Sequence, residues 1–185
     1  MANNNRFSTT RIAFIGVMAA IIVVVTFFRF PLLGSKVHFA NAMCLLAGLL
    51  LGPVGGGLAA GIGSFLYDIL FGGYDVVQGC ITFISKFAMA WICAMLALYH
   101  QTEPKPLRVV LASVAGALAY VALYMLKTFV YQAFVYGYPL DAVWLTMLSK
   151  LPASLLNAVA AMVATPILFF ALHPILRRLQ PQQFV

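Results

Sequence analysis

Apolar residues run along this chain in long blocks, and polar residues gather at the joints between them. The blocks predict six helices, near 11–28, 38–52, 53–71, 79–100, 108–136 and 141–173. FPLLGSK, LGPVGGG, FGGYD, HQTEPKP and YGYPL separate them, each placing glycine, proline or clustered polar residues where a helix has to stop. Several blocks approach the roughly 20 residues that cross a bilayer. The pattern therefore predicts an all-α integral membrane protein, a bundle of six transmembrane helices.

One apolar stretch, LLLGPVGGGLAAGIGSFLYDIL, is broken in an informative way. Gly52-Pro53 predicts a tight turn, with proline at the first position of the next helix. Beyond it Gly57, Gly61, Ser64 and Asp68 fall on one narrow stripe, at about 100° per residue. Lipid supplies no hydrophobic drive between helices, so small residues on a stripe favour close helix packing. Asp68 ends the stripe either as an acid near water or as an acid serving a site. Gly16 and Ala20 form a second small-residue face, suited to docking against another helix.

Composition fixes the solvent. Of 185 residues, 64% are hydrophobic and 8% charged, where a soluble domain carries about 25% charged residues. A single domain spans 1–185, because no polar segment is long enough to fold separately in water. The first apolar block follows the polar MANNNRFSTT and lacks a small-residue cleavage site, so it reads as a span rather than a signal peptide. Six spans bring Arg6, Arg11, Lys105, Arg108, Arg177 and Arg178 to one side, against Arg29 and Lys36 on the other. By the positive-inside rule both termini are cytoplasmic. The net charge of +7 is then topology plus buried lysines, and does not point to nucleic acid. Cys44, Cys80 and Cys93 show no CxxC spacing and read as buried small apolar residues, without a disulfide or a metal.

Charges inside the spans carry the candidate chemistry. Lys86, Lys127 and Lys150 lie within spans four, five and six, where an ionisable group needs a cavity or a partner. At 1.5 Å per residue Lys86 is about 10 Å from its outer end, and Lys127 and Lys150 about 14 Å from theirs. The three share one level. Tyr120, Tyr124, Tyr131 and Phe134 fall on the face of Lys127; Thr146, Met147, Ser154 and Asn157 fall on that of Lys150; Thr82 and Met89 flank Lys86. One acid, Asp68, cannot neutralise three lysines, so a polar cavity is expected in the outer half. Aromatic walls with a few convergent cations suit a planar heterocycle bearing a carboxylate, a phosphate or an enolised ring oxygen. His38 and Asn41 open the second span as ligand contacts or, by preference, as a helix cap. Asp75 and Asp141 read as turn and helix-start residues, Trp144 as an interfacial anchor, and Pro152, Pro166 and Pro174 as kinks or ends in the sixth span.

HFANAMCLLAGLLLGPVGGGLAAGIGSFLYDILFGGY followed by TFISK resembles the substrate-binding S component of energy-coupling factor (ECF) transporters, especially the riboflavin-type branch. The resemblance covers nearly the whole chain. It implies a multi-pass protein of the prokaryotic cytoplasmic membrane that binds a water-soluble vitamin or its precursor with high affinity. It also implies a transmembrane coupling subunit and two ATP-binding cassette ATPases as partners. The ligand is expected beneath the loops at 29–37, 72–78 and 137–140, and the subunit is expected to topple in the membrane to deliver it. The candidate substrate-binding residues are Lys86, Lys127, Lys150, Asp68, Tyr124, Tyr131, Asn157, His38 and Asn41. Members dock through an AxxxA motif in span one; here Ala13 is followed by Val17, and Gly16 with Ala20 takes its place.

The chain has no GxxxxGK[ST] phosphate loop, so any ATP is used by another protein. Neither a cofactor nor a catalytic residue is expected. His38, His100 and His173 fall at span ends on different sides, which argues against an enzyme. A stand-alone secondary carrier for a small heterocyclic or anionic metabolite is the alternative, although no internal repeat of the secondary-transporter kind is evident.

Overall fold

The computed structural model describes residues 9–32, 35–99 and 105–179. Helix α1 (Thr9–Phe27) leads into an antiparallel hairpin of β1 (Arg29–Leu32) and β2 (Ser35–His38). Helix α2 (Ala40–Tyr67) ends in a π-helical turn at Asp68–Gly72, and α3 covers Val76–Leu98. Helix α4 (Pro106–Val130) ends in a second π-helical turn at Tyr131–Val135, and α5 runs over Leu140–Leu179. Five helices among the described residues are long and apolar enough to cross a membrane. Arg6, His100 and the rest of the HQTEPKP joint before Lys105 lie outside the described residues.

Helix α2 is not a straight rod. Gly52 has φ 77° and ψ 178°, a backbone conformation that only glycine adopts without strain. A Cβ on Gly56 would lie 2.3 Å from the Gly48 Cα, whereas eight residues of straight helix span about 12 Å. The chain therefore folds back at Gly52-Pro53, as the sequence pattern requires, and leaves two limbs at 40–51 and 53–67. Arg11 of α1 donates from Nη2 to the Leu51 carbonyl at 3.1 Å. Its cation thus meets the carbonyl end of the first limb, where the helix dipole favours positive charge.

The first limb is short, about 18 Å at 1.5 Å per residue. It is tolerated because it is enclosed by protein: apart from Met43, every residue from Ala40 to Leu51 is buried. Helices α1, α3 and α5 pack around α2, and α4 closes the ring between α3 and α5. Backbones approach closely along this axis. A Cβ on Gly48 would meet the Ala90 carbonyl oxygen at 2.4 Å, and one on Gly63 the Ala19 carbonyl oxygen at 2.6 Å. Leu45, Leu46, Met89, Cys93, Val109 and Phe169 fill the core between them.

Several expectations are corrected. FPLLGSK is a hairpin limb pair rather than a plain turn, with Arg29 opposite His38 and Phe30 opposite Val37. Helix α5 continues through Pro152, Pro166 and Pro174, so none of them ends it. A proline in a packed membrane helix is tolerated where neighbours satisfy the carbonyl it frees. Cys44 and Cys93 are buried, but Cys80 is exposed.

Candidate functional site

At the hairpin end of the bundle a cavity of about 170 Å³ gathers residues from every helix and from the hairpin. The stripe on the second limb of α2 explains one wall. Gly57 and Gly61 sit where a Cβ would press on the Phe87 and Phe83 rings, each at 2.8 Å, so these glycines admit α3. One and two turns further on, Ser64 and Asp68 leave that contact and line the cavity with Tyr67. A single helix face thus packs at one end and serves the site at the other.

Lys86, Lys127 and Lys150 all line the cavity, with Asp68, His38, Asn41, Tyr124 and Asn157. Their surroundings differ. Lys86 is 3% exposed. Its ammonium donates to the Asn41 side-chain oxygen and lies 3.8 Å from the Tyr120 ring centroid. Lys127 donates to the Gln78 carbonyl at 3.3 Å and to the Thr82 hydroxyl at 3.1 Å, with the Tyr74 ring 5.4 Å away. Lys150 makes no hydrogen bond or ion pair among the described residues.

Asn41 and His38 are not the helix cap that the sequence favoured. The N-cap of α2 is Phe39, without a side-chain bond. Asn41 faces inward to Lys86, and the His38 backbone amide donates to the Asn157 side-chain oxygen at 2.7 Å. That bond ties β2 to α5 across the cavity. Thr165 makes a second tie by donating to the Ala42 carbonyl at 3.2 Å.

Tyr131 does not line the cavity, and neither does Phe134, which is 76% exposed. Tyr131 opens the π-helical turn and its ring packs on Tyr136 at 6.1 Å. The Tyr131 amide still bonds the Lys127 carbonyl in α-helical register, so Tyr131 keeps the helical spacing and leaves the lining because α4 ends there and its ring turns to Tyr136. Trp144 is exposed beside Phe129. Gly16 and Ala20 lie on the exposed side of α1, and a Cβ on Gly16 would meet nothing within 4 Å.

The sequence did not mark Thr26, Arg29, Ala40, Tyr67, Tyr74 or Ser85 as site residues, and all six also line the cavity. The Arg29 guanidinium lies 5.3 Å from the Tyr67 ring centroid. The hairpin supplies Arg29, and four-residue strands leave little periodicity to detect. In the loop before α3, Asp75 caps the helix by accepting from the Gln78 amide at 2.8 Å. That bond holds its carboxyl below the usual range. Burial, and then the nearby Asp68 carboxylate, push the neighbouring Tyr74 phenol upward.

The fold is that of a helix bundle with membrane-spanning character, enclosing a polar cavity walled by aromatic rings. Residues 6–174 match the family of the ECF-type riboflavin transporter, S component, and the chain belongs to that family. It is a membrane transport subunit of the vitamin-binding kind. A solved S component of a bacterial ECF transporter superposes with a TM-score of 0.70 at 19% identity, covering 92% of this chain and 99% of that one. The crystal structure of FolT bound with folic acid superposes with a TM-score of 0.60 at 24% identity, covering 88% and 98%. A comparison with curated proteins gives no match.

Proposed function

We propose that the chain is the high-affinity binding subunit of an ECF-type importer for a planar heterocyclic vitamin or vitamin precursor. Riboflavin, a pyridoxine-like vitamer and a thiamine-type pyrimidine are the leading candidates. The observation that carries this reading is the convergence of Lys86, Lys127 and Lys150, from three helices, on one cavity walled by Tyr67, Tyr74, Tyr120 and Tyr124. Rings offer stacking area to a flat ligand, and donors around them fix its orientation. Lys86, Lys127, Lys150, Asp68, Tyr124, Asn157, His38 and Asn41 are the proposed contacting or supporting residues. Tyr131 sits outside this set.

In the proposed topology the two limbs of α2 are counted separately, which gives six membrane segments. Both termini are cytoplasmic, on the side of Gly52, Arg11 and Arg108, and the cavity opens on the opposite side of a prokaryotic cell membrane. The positive-inside rule supports this orientation. A coupling subunit with two ATP-binding cassette ATPases is the proposed energy source, docked through the open Gly16 and Ala20 face. Native mass spectrometry of the detergent-purified chain, with identification of the co-purifying small molecule, tests the binding reading. A stoichiometric heterocycle is expected. An empty protein that no vitamin or precursor stabilises thermally contradicts it, and ATPase-independent uptake in liposomes favours the stand-alone carrier.

A further inference from the structure

The cavity carries more positive charge than it can balance, and the excess is not shared evenly. Arg29, Lys86, Lys127 and Lys150 line it against the single carboxylate of Asp68. Lys86 directs one N–H to Asn41 and lies over the Tyr120 ring. Lys127 is held by Gln78, Thr82 and Tyr74, and Arg29 stacks on Tyr67. Lys150 has no such partner among the described residues.

One helical turn beyond Lys150, Ser154 repeats the pattern. Other helix hydroxyls have partners: Ser85, Ser113, Thr128 and Thr146 bond back to their own helix, Thr165 donates to Ala42 and Thr82 accepts from Lys127. Ser154 is 4% exposed and lines the cavity, yet makes no hydrogen bond among the described residues. Its hydroxyl is open to the cavity and not sealed in the core, so an acceptor in the cavity can reach it. Lys150 and Ser154, at i and i+4, stand on one face of α5. They form a pair of donors prepared for an acceptor that the described residues do not supply.

We infer that the site takes its heterocycle as an anion, with the ligand's carboxylate or phosphate seated on Lys150 and Ser154. Lys86 and Lys127 are positioning residues that hold the ring walls and the loop before α3. This rests on the binding reading above and deepens it, because it sets the charge of the substrate. The neutral acceptors that aromatic walls alone would accommodate become the weaker ligands.

The test is affinity for matched pairs that differ by one anionic group: riboflavin and riboflavin 5′-phosphate, pyridoxine and pyridoxine 5′-phosphate, hydroxymethylpyrimidine and its phosphate, nicotinamide and nicotinate. The anionic member of at least one pair should bind about 10- to 100-fold more tightly, as a charge-assisted hydrogen bond predicts. Lys150→Met should abolish that preference without lowering the melting temperature of the ligand-free protein, and Lys150→Arg should restore it. Ser154→Ala should reduce it several-fold. Neutral members that bind as tightly as anionic ones overturn the inference and leave the binding reading standing. So does a preference that survives Lys150→Met. Binding of no member of any pair overturns both.

Discussion

The two ends of the bundle use the same helices for opposite purposes. Toward the Gly52 end, glycine and alanine bring backbones into contact, as Gly56 does with Gly48 and Gly48 with Ala90. At the hairpin end the same α2, α3 and α5 separate, and lysines, tyrosines and amides occupy the gap. The difference shows how a membrane protein with no hydrophobic drive for helix association holds a polar cavity open. Close packing at one end stabilises the bundle, so the other end can carry groups that destabilise it.

The largest effects should come from the packed end. Replacing Gly48 or Gly56 with leucine drives a side chain into backbone atoms that lie within 2.4 Å of where its Cβ would sit. Monodisperse protein in detergent should be lost. Even alanine at either position should cost about 1–3 kcal/mol from overpacking, seen as a lower melting temperature. A well-folded Gly56→Leu variant with intact ligand affinity would show that the two ends are not coupled as described.

The next effect lies at the boundary between the ends. Lys86→Met removes the donor to Asn41 and leaves a buried amide oxygen unpaired, for about 1–3 kcal/mol of lost stability. Adding Asn41→Leu should recover most of that loss, because an apolar pair leaves nothing unsatisfied. Additive losses in this double-mutant cycle would mean that the two residues act independently. Smaller again is the effect of Tyr124→Leu at the cavity wall. It should weaken ligand affinity by about 0.5–1.5 kcal/mol, read by titration calorimetry, while the melting temperature of the empty protein stays unchanged.

The smallest effect belongs to the loop. The Gln78 amide holds the Asp75 carboxyl below its usual range, so its contribution is complete above the unfolded-state pKa. It is lost as pH falls through the lower native value. Hydrogen exchange at the Gln78 amide, corrected for intrinsic rate, should therefore lose protection at acid pH, and Asp75→Ala should remove that dependence.

Much of this was legible in the chain. Gly52-Pro53 announced the fold-back, because only glycine reaches that backbone angle and proline starts the next helix. The spacing of Gly57, Gly61, Ser64 and Asp68 gave a face that does both jobs, and helical rise alone set the three lysines at one level. What was not legible arises where local periodicity stops. The hairpin strands are too short to alternate visibly, so Arg29 read only as a charge on the outer side and not as part of the lining. Helix α4 ends at Tyr131, whose ring packs on Tyr136 instead of the cavity. Tyr74 sits in a loop with no period at all. Nor could spacing show that Lys86 and Lys127 find partners while Lys150 has none among the described residues, since those partners lie at sequence separations of 45 and 49.

The continuous course of α5 has one further consequence. Forty residues of helix measure about 60 Å, while α1 and α3 measure about 28 and 35 Å. No flat bilayer matches all three lengths, and tilting α5 within the usual range does not remove the difference. Helix α5 therefore projects past a hydrocarbon core of about 30 Å, a lever whose tips reach out of the apolar layer while its middle is held by the bundle.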